Sequence, residues 1–195
     1  MTRTRYSTAA ILLHWLIAGL LVWTVLLAWQ SEDLKGAAKI AVLQLHKPLG
    51  ITIMLLTLLR IGLRFVYPAP PMGEHLKRWE LILAKSVYGL FYLLLLFLPL
   101  SGWAMVSASA LIHQYPINMF GLFNWPVITP LFELPGELRH AKHEQLEAIH
   151  GLVAKVIIYG LVPLHILGAL KHQFIDKDNE LAKMIPFLAK KDAAA

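Results

Sequence analysis

The sequence predicts an all-α integral membrane protein, a four-helix bundle with both termini cytoplasmic. Three observations lead there. Of 195 residues, 57% are hydrophobic and only 15% are charged, with a mean hydropathy of +0.59, which does not describe a soluble domain. Four apolar runs each reach the roughly 20 residues that a helix needs to cross a bilayer. The basic residues behind the +6 net charge sit at the ends of those runs, where they orient a membrane protein, and no groove-reading motif for nucleic acid accompanies them.

The first span covers about residues 8–29. Arg3 and Arg5 precede it, as in a signal peptide. The run is too long for a signal-peptide core, however, contains His14, and ends in Ala28-Trp29-Gln30-Ser31-Glu32 without a small-residue cleavage pattern. It reads as a retained helix. The second span, about 40–66, has His46 near its start and Arg60 and Arg64 near its end, and Tyr67-Pro68-Ala69-Pro70-Pro71 stops it. The third, about 83–106, is apolar apart from Lys85 and Ser86 at its entry and includes Pro99 and Gly102. Residues 107–142 form an outer loop whose apolar, aromatic middle (Ile117, Met119, Phe120, Leu122, Phe123, Trp125) is expected to lie on the membrane surface or pack over the bundle. The fourth span, about 146–172, carries His150 and His165, and 176–195 is a polar cytoplasmic tail with a weakly amphipathic patch. Residues 1–195 read as one membrane domain without internal repeats. Arg3, Arg5, Arg60, Arg64, Lys77, Arg78, Lys85, Lys171, Lys177, Lys183, Lys190 and Lys191 fall on one side. Only Lys35, Lys39, Lys47, Arg139 and Lys142 fall on the other. The excess marks the cytoplasmic side.

The absence of cysteine removes disulfides, iron–sulfur clusters and covalently attached haem, and leaves nine histidines as metal ligands. An ionisable ring inside an apolar span is costly and marks function. His14 and His165 lie at similar depth from the inner side, while His46 and His150 lie about two turns in from the outer side. Facing imidazoles at matched depth suit axial ligation of a haem in a bundle core, so two haem b groups are expected. Iron held by two imidazoles has no open position for oxygen chemistry, which favours electron transfer. The competing reading of a lone intramembrane histidine is a hydrogen bond between helices. His75 and His113 read as solvated loop residues, His140 and His143 lie near the water, and His172, seven residues beyond His165, is the alternative inner ligand.

Several stretches together resemble bacterial cytochrome b561: His14-Trp15; Leu45-His46-Lys47-Pro48-Leu49-Gly50 leading to Arg60-Ile61-Gly62-Leu63-Arg64; Tyr67 to Pro71; Leu98-Pro99-Leu100-Ser101-Gly102; and His150, His165, Lys171-His172 and Lys177-Asp178-Asn179. The family is also similar to the cytochrome b subunits of nickel-iron hydrogenases and formate dehydrogenase. The resemblance covers about Tyr6 to Pro186. It implies a di-haem protein of the bacterial inner membrane, with His14, His46, His150 and His165 as ligands, passing electrons between the periplasm and membrane quinone. One stand-alone branch resembles superoxide oxidase, which gives electrons from superoxide to ubiquinone. Two departures stand out. The last two ligands of the family are fourteen residues apart, whereas His165 follows His150 by fifteen, and a histidine usual at the start of the third span is replaced by Lys85 and Tyr88.

These features set the functional expectation. Lys35, Lys39 and Arg139, with Lys47 and Lys142, would steer a small anion such as superoxide to the outer face. His172 and Lys171 are candidates for the quinone, since imidazole titrates near neutral pH. The alternatives are a cytochrome b partner of a separate dehydrogenase or c-type cytochrome, and a non-redox scaffold or transporter. One extra residue turns His165 by about 100° on a regular helix. The spacing therefore predicts a kink or π-bulge between Ile157 and His165, eased by Pro163 and Gly160, that returns His165 towards His14. A straight helix would favour His172 instead.

Overall fold

The computed structural model describes residues 5–71, 77–178 and 180–188. Among them, four helices are long and apolar enough to cross a membrane. They are α1 (Thr8–Glu32), α2 (Gly36–Val66), α3 (Arg78–Ser107) and, after the single-turn α4 (Thr129–Phe132), the long α5 (Gly136–Ile175). The architecture is all-α. Most side chains along the spans are exposed in the isolated bundle and apolar, as lipid-facing residues are. Arg3, His75, Lys190 and Lys191 lie outside the described residues.

Local chemistry sets the helix ends. Ser7 caps α1, its Oγ accepting from Ala10 N. At α3, Lys77 N donates to Glu80 Oε2 at 3.0 Å, so polar residues continue the helix ahead of the apolar run. Pro48 and Pro99 lie inside α2 and α3 and are buried. Helix–helix packing accommodates the amide that each lacks.

One end of the bundle, here the loop end, is closed by residues 108–135. Ile112, Ile117 and Met119 of this segment are buried against Ile51 and Met54 of α2 and Val106 of α3. Trp103 Nε1 donates to Pro126 O at 2.7 Å, and Ile128 N donates to Ser107 Oγ at 3.0 Å. The segment packs over the bundle, one of the two placements expected for it. Its tip is a tight turn with Phe120 and Gly121 at positive φ, held by Gly121 N donating to Asn118 Oδ1. At the opposite, terminal end, the stretch holding the 3₁₀ turns Leu181–Lys183 and Pro186–Leu188 lies beside Ile11 and Trp15 of α1. Trp15 Nε1 donates to Met184 O, and Lys183 Nζ donates to Pro71 O.

The fourth span departs from α-geometry where the spacing predicts it. Within α5, Val156–Leu161 is π-helical, and the amide of Val162 reaches back to Ile157 O. Pro163 follows at once and cannot donate to Tyr159. A second π turn, Lys171–Ile175, has no counterpart in the sequence reading.

Candidate functional site

Two pairs of imidazoles face each other along the bundle. At the terminal end, the ring centroids of His14 (α1) and His165 (α5) are 6.1 Å apart, with planes inclined at 67°. At the loop end, those of His46 (α2) and His150 (α5) are 6.3 Å apart, inclined at 75°. Along α5 the fifteen residues from His150 to His165 correspond to about 22 Å of rise, so the pairs are stacked rather than adjacent. The π segment makes the second pair possible, because it absorbs the extra residue and turns His165 back towards α1.

The loop-end pair is anchored from behind. His46 Nδ1 lies 3.0 Å from Thr24 O, and His150 Nδ1 lies 3.0 Å from Leu98 O and 3.1 Å from Ser101 Oγ. A carbonyl only accepts, so both Nδ1 atoms carry the proton and both Nε2 lone pairs are left for a metal. The Leu98-to-Gly102 stretch forms this cradle. Ser101 Oγ donates to Leu98 O, and Gly102 gives the ring room, since a Cβ there would stand 3.0 Å from His150 Cε1.

Aromatic edges and charge surround the terminal-end pair instead. Trp15 packs on His14 with ring centroids 5.2 Å apart, and Phe91 and Tyr88 lie 5.2 and 6.3 Å from His165. Neither imidazole has a hydrogen bond to a protein group among the described residues. The half-buried Arg60 of α2 donates from Nε to Tyr92 Oη at 3.4 Å. Among the described residues Arg60 has no carboxylate partner. Thr57, one turn earlier on α2, is wholly buried with its hydroxyl unpartnered among the described residues.

These residues fit a non-covalent haem. A metal–imidazole bond of about 2 Å plus roughly 1 Å from nitrogen to ring centre puts two axial rings about 6 Å apart, close to both observed separations. The Nδ1–carbonyl contacts are the usual support of a ligating histidine, and without cysteine the group would be held by these side chains alone.

Beyond the terminal-end pair, Lys171 Nζ donates to Glu80 Oε1 at 2.8 Å and to Asp176 Oδ2 at 2.6 Å. His172 Nδ1 lies 2.8 Å from Asp176 Oδ2 and 3.3 Å from Asp178 Oδ2, distances of an ion pair without hydrogen-bond angles. The ligand atoms of these three residues fall within 4.8 Å of one another. Lys171 already neutralises Asp176, which makes the group an ionic lock rather than a bare acidic cup. At the loop end Lys35 and Lys39 are exposed near the start of α2, while Arg139 is half-buried with Nη1 3.4 Å from Phe132 O. Lys47 is turned to Gln44 Oε1 and Tyr115 O. His143 Nδ1 donates to Met105 O at 2.8 Å and so ties α5 to α3, while His113 stays exposed with its ring against Phe132. The sequence reading missed Lys155, an exposed cation within the fourth span, and the position of Arg60 beside the terminal-end pair. Both were findable, because a cation inside an apolar span is itself a signal.

Comparison with known proteins agrees with this architecture. Residues 5–187 match the family described as prokaryotic cytochrome b561. The chain is 31% identical to a probable superoxide oxidase, CybB, of Yersinia pestis, over 93% of this chain and 96% of the relative. It is 28% identical to cytochrome b561 homolog 2 of Escherichia coli K12, over 94% and 93%, and 27% identical to a cytochrome b562 of Cereibacter sphaeroides, over 92% and 94%. The family match and the four apolar helices point the same way, and the chain therefore belongs to the prokaryotic cytochrome b561 family, as a multi-pass electron-transfer protein of the bacterial inner membrane.

Proposed function

We propose that this protein holds two b haems, one between His14 and His165 and one between His46 and His150, and carries electrons from a periplasmic donor, superoxide, to ubiquinone in the membrane. The observation that carries this reading is the stacking of two facing imidazole pairs at about 6 Å within one bundle. Bound there, haem would supply reversible one-electron chemistry, held by these four imidazoles. The distribution of basic residues supports termini in the cytoplasm and a periplasmic loop end.

The chain's own residues perform the remaining tasks. Lys35, Lys39 and Arg139 raise the local concentration of a small anion at the periplasmic mouth. The packed segment 108–135 limits water above His46 and His150. At the cytoplasmic end, His172, with Lys171 beside it, faces the quinone headgroup, while Asp176 and Asp178 hold the imidazole's Nδ1 side. Two superoxide anions each lose one electron to become dioxygen, and one quinone gains those two electrons and two protons to become quinol. The name of the Yersinia pestis relative supports superoxide as donor.

The test is rapid mixing of the purified protein with superoxide and a soluble ubiquinone analogue, with no partner protein. Quinol should form in step with superoxide loss. Replacing Lys35, Lys39 and Arg139 by Gln should slow the reaction at low salt and flatten its dependence on ionic strength. Reduction only by an added dehydrogenase or c-type cytochrome would replace superoxide with a protein donor.

A further inference from the structure

The cluster at the terminal end carries more negative charge than its cations answer. Three carboxylates meet there, and Lys171 is the one ammonium set among them, 2.8 Å from Glu80 Oε1 and 2.6 Å from Asp176 Oδ2. Lys177, in the turn between the two aspartates with φ 60°, is exposed and pairs with no carboxylate among the described residues, and Lys183 pairs with Glu180. Asp178 is left over. Its side chain is only 6% exposed, its Oδ1 accepts from Glu180 N at 3.4 Å, and its Oδ2 faces His172 Nδ1 at 3.3 Å. That nitrogen is itself buried, stands 2.8 Å from Asp176 Oδ2, and makes no hydrogen bond among the described residues. One imidazole nitrogen and two carboxylate oxygens therefore converge with no proton aligned between them. A buried carboxylate without a cation or a full set of donors is costly. The π turn Lys171–Ile175, which no proline accounts for, carries His172 to Asp176 four residues on, and such turns recur at functional sites.

We propose that His172 Nδ1, Asp176 Oδ2 and Asp178 Oδ2 bind a divalent transition-metal ion, with zinc the ion whose chemistry fits best. Imidazole nitrogen and carboxylate oxygen are both zinc ligands, and three protein donors leave a fourth position for water. A tetrahedral zinc at about 2.0–2.2 Å from its ligands holds them about 3.3 Å apart. The three atoms here lie within 4.8 Å of one another, at 2.8 and 3.3 Å from the imidazole nitrogen. Lys171 competes for Asp176 Oδ2, but Glu80 still holds its ammonium when the ion takes that oxygen. The two aspartates then balance the two charges of the ion, and the imidazole keeps its proton on Nε2. The site uses neither of the facing imidazole pairs, so it stands or falls apart from the haem and electron-transfer reading.

The test is zinc binding by the full-length holoprotein in detergent, stripped with a chelator, dialysed against zinc at fixed free concentrations, and analysed for metal against protein. Visible absorbance and the melting temperature without zinc show that each variant is folded. Asp178→Asn and His172→Gln should each hold one zinc fewer per chain than wild type, or hold it at least about tenfold more weakly, a loss that even a ligand's outer support produces. Zinc should raise the melting temperature of wild type and leave that of these two variants unmoved. Lys171→Gln removes the competing ammonium and should bind zinc more tightly than wild type. Glu144→Gln removes the exposed pair with His140 and should bind as wild type does. Equal zinc binding by wild type, Asp178→Asn and His172→Gln overturns the proposal, and so does weaker binding by Lys171→Gln. A loss confined to Glu144→Gln would place the zinc at the loop end and overturn it equally.

Discussion

The two ends of this bundle solve the same problem by different means. Each presents two imidazoles across about 6 Å from facing helices. At the loop end, α1 and α3 each supply a carbonyl acceptor, and α3 and the segment after it supply a glycine gap and an apolar lid, so the rings are fixed by backbone and packing. At the terminal end the rings lie among aromatic edges beside an intramembrane arginine, and order comes from an ionic lock and a tail that straps α1. The lesson is that equivalent ligand geometry does not mean equivalent chemistry. What lies behind the imidazoles differs, carbonyl oxygens at the loop end and aromatic edges at the terminal end.

The strongest way to break the comparison is to delete one side of it. His150→Ala should lower the haem content from two per chain to one, read by pyridine haemochrome absorbance against protein. The terminal-end site, which draws its rings from α1 and the far side of the π segment, should keep its haem. Loss of both would mean that the ends are not independent.

A smaller effect tests the cradle. Gly102→Ala places a methyl 3.0 Å from a ring already held by Leu98 O and Ser101 Oγ, so the imidazole cannot yield freely. The expected cost is about 1–3 kcal/mol, as for overpacking elsewhere, visible as a lower melting temperature and weaker retention of the loop-end haem. Gly89→Ala on the same helix meets nothing within 4 Å and should be neutral or slightly stabilising. Equal effects from the two would mean that the close approach of Gly102 to His150 costs nothing.

The difference between the ends also explains what the sequence could reveal. Four spans follow from hydropathy, and the facing of His14 with His165 and His46 with His150 follows from depth, because an imidazole in an apolar run is conspicuous. The π segment was legible for a similar reason. A fifteen-residue interval followed by Pro163 leaves few ways to turn His165 back. The supports were not legible. Thr24 O and Leu98 O are backbone atoms, and no side-chain pattern announces which carbonyl a ring will meet. The gap at Gly102 depends on how closely α3 and α5 approach. The second π turn, Lys171–Ile175, has no proline to flag it, and the ion pairs of Lys171 and His172 bring together residues as distant as Glu80 and Asp178.

The smallest expected effect concerns that ionic lock. The Asp176 carboxyl is held below its ordinary value of 3.8, first by the hydrogen bond from Lys171, with the charge of Lys171 adding to it and burial opposing. Because the folded value lies below the unfolded one, the stabilisation is complete above about pH 3.8 and is lost as pH falls through the lowered folded value. Asp176→Asn should therefore melt below wild type at pH 6, and the difference should close on acidification. Lys171 and Asp176 are partly solvated, so the shift should be modest and should shrink with added salt. The loop end offers the control. His140 and Glu144 are both largely exposed and 3.7 Å apart, so Glu144→Gln should leave the melting curve unchanged across the same range. If the Asp176→Asn difference persisted undiminished in acid, Asp176 would be acting through packing, and the terminal end would be ordered, like the loop end, by shape rather than by charge.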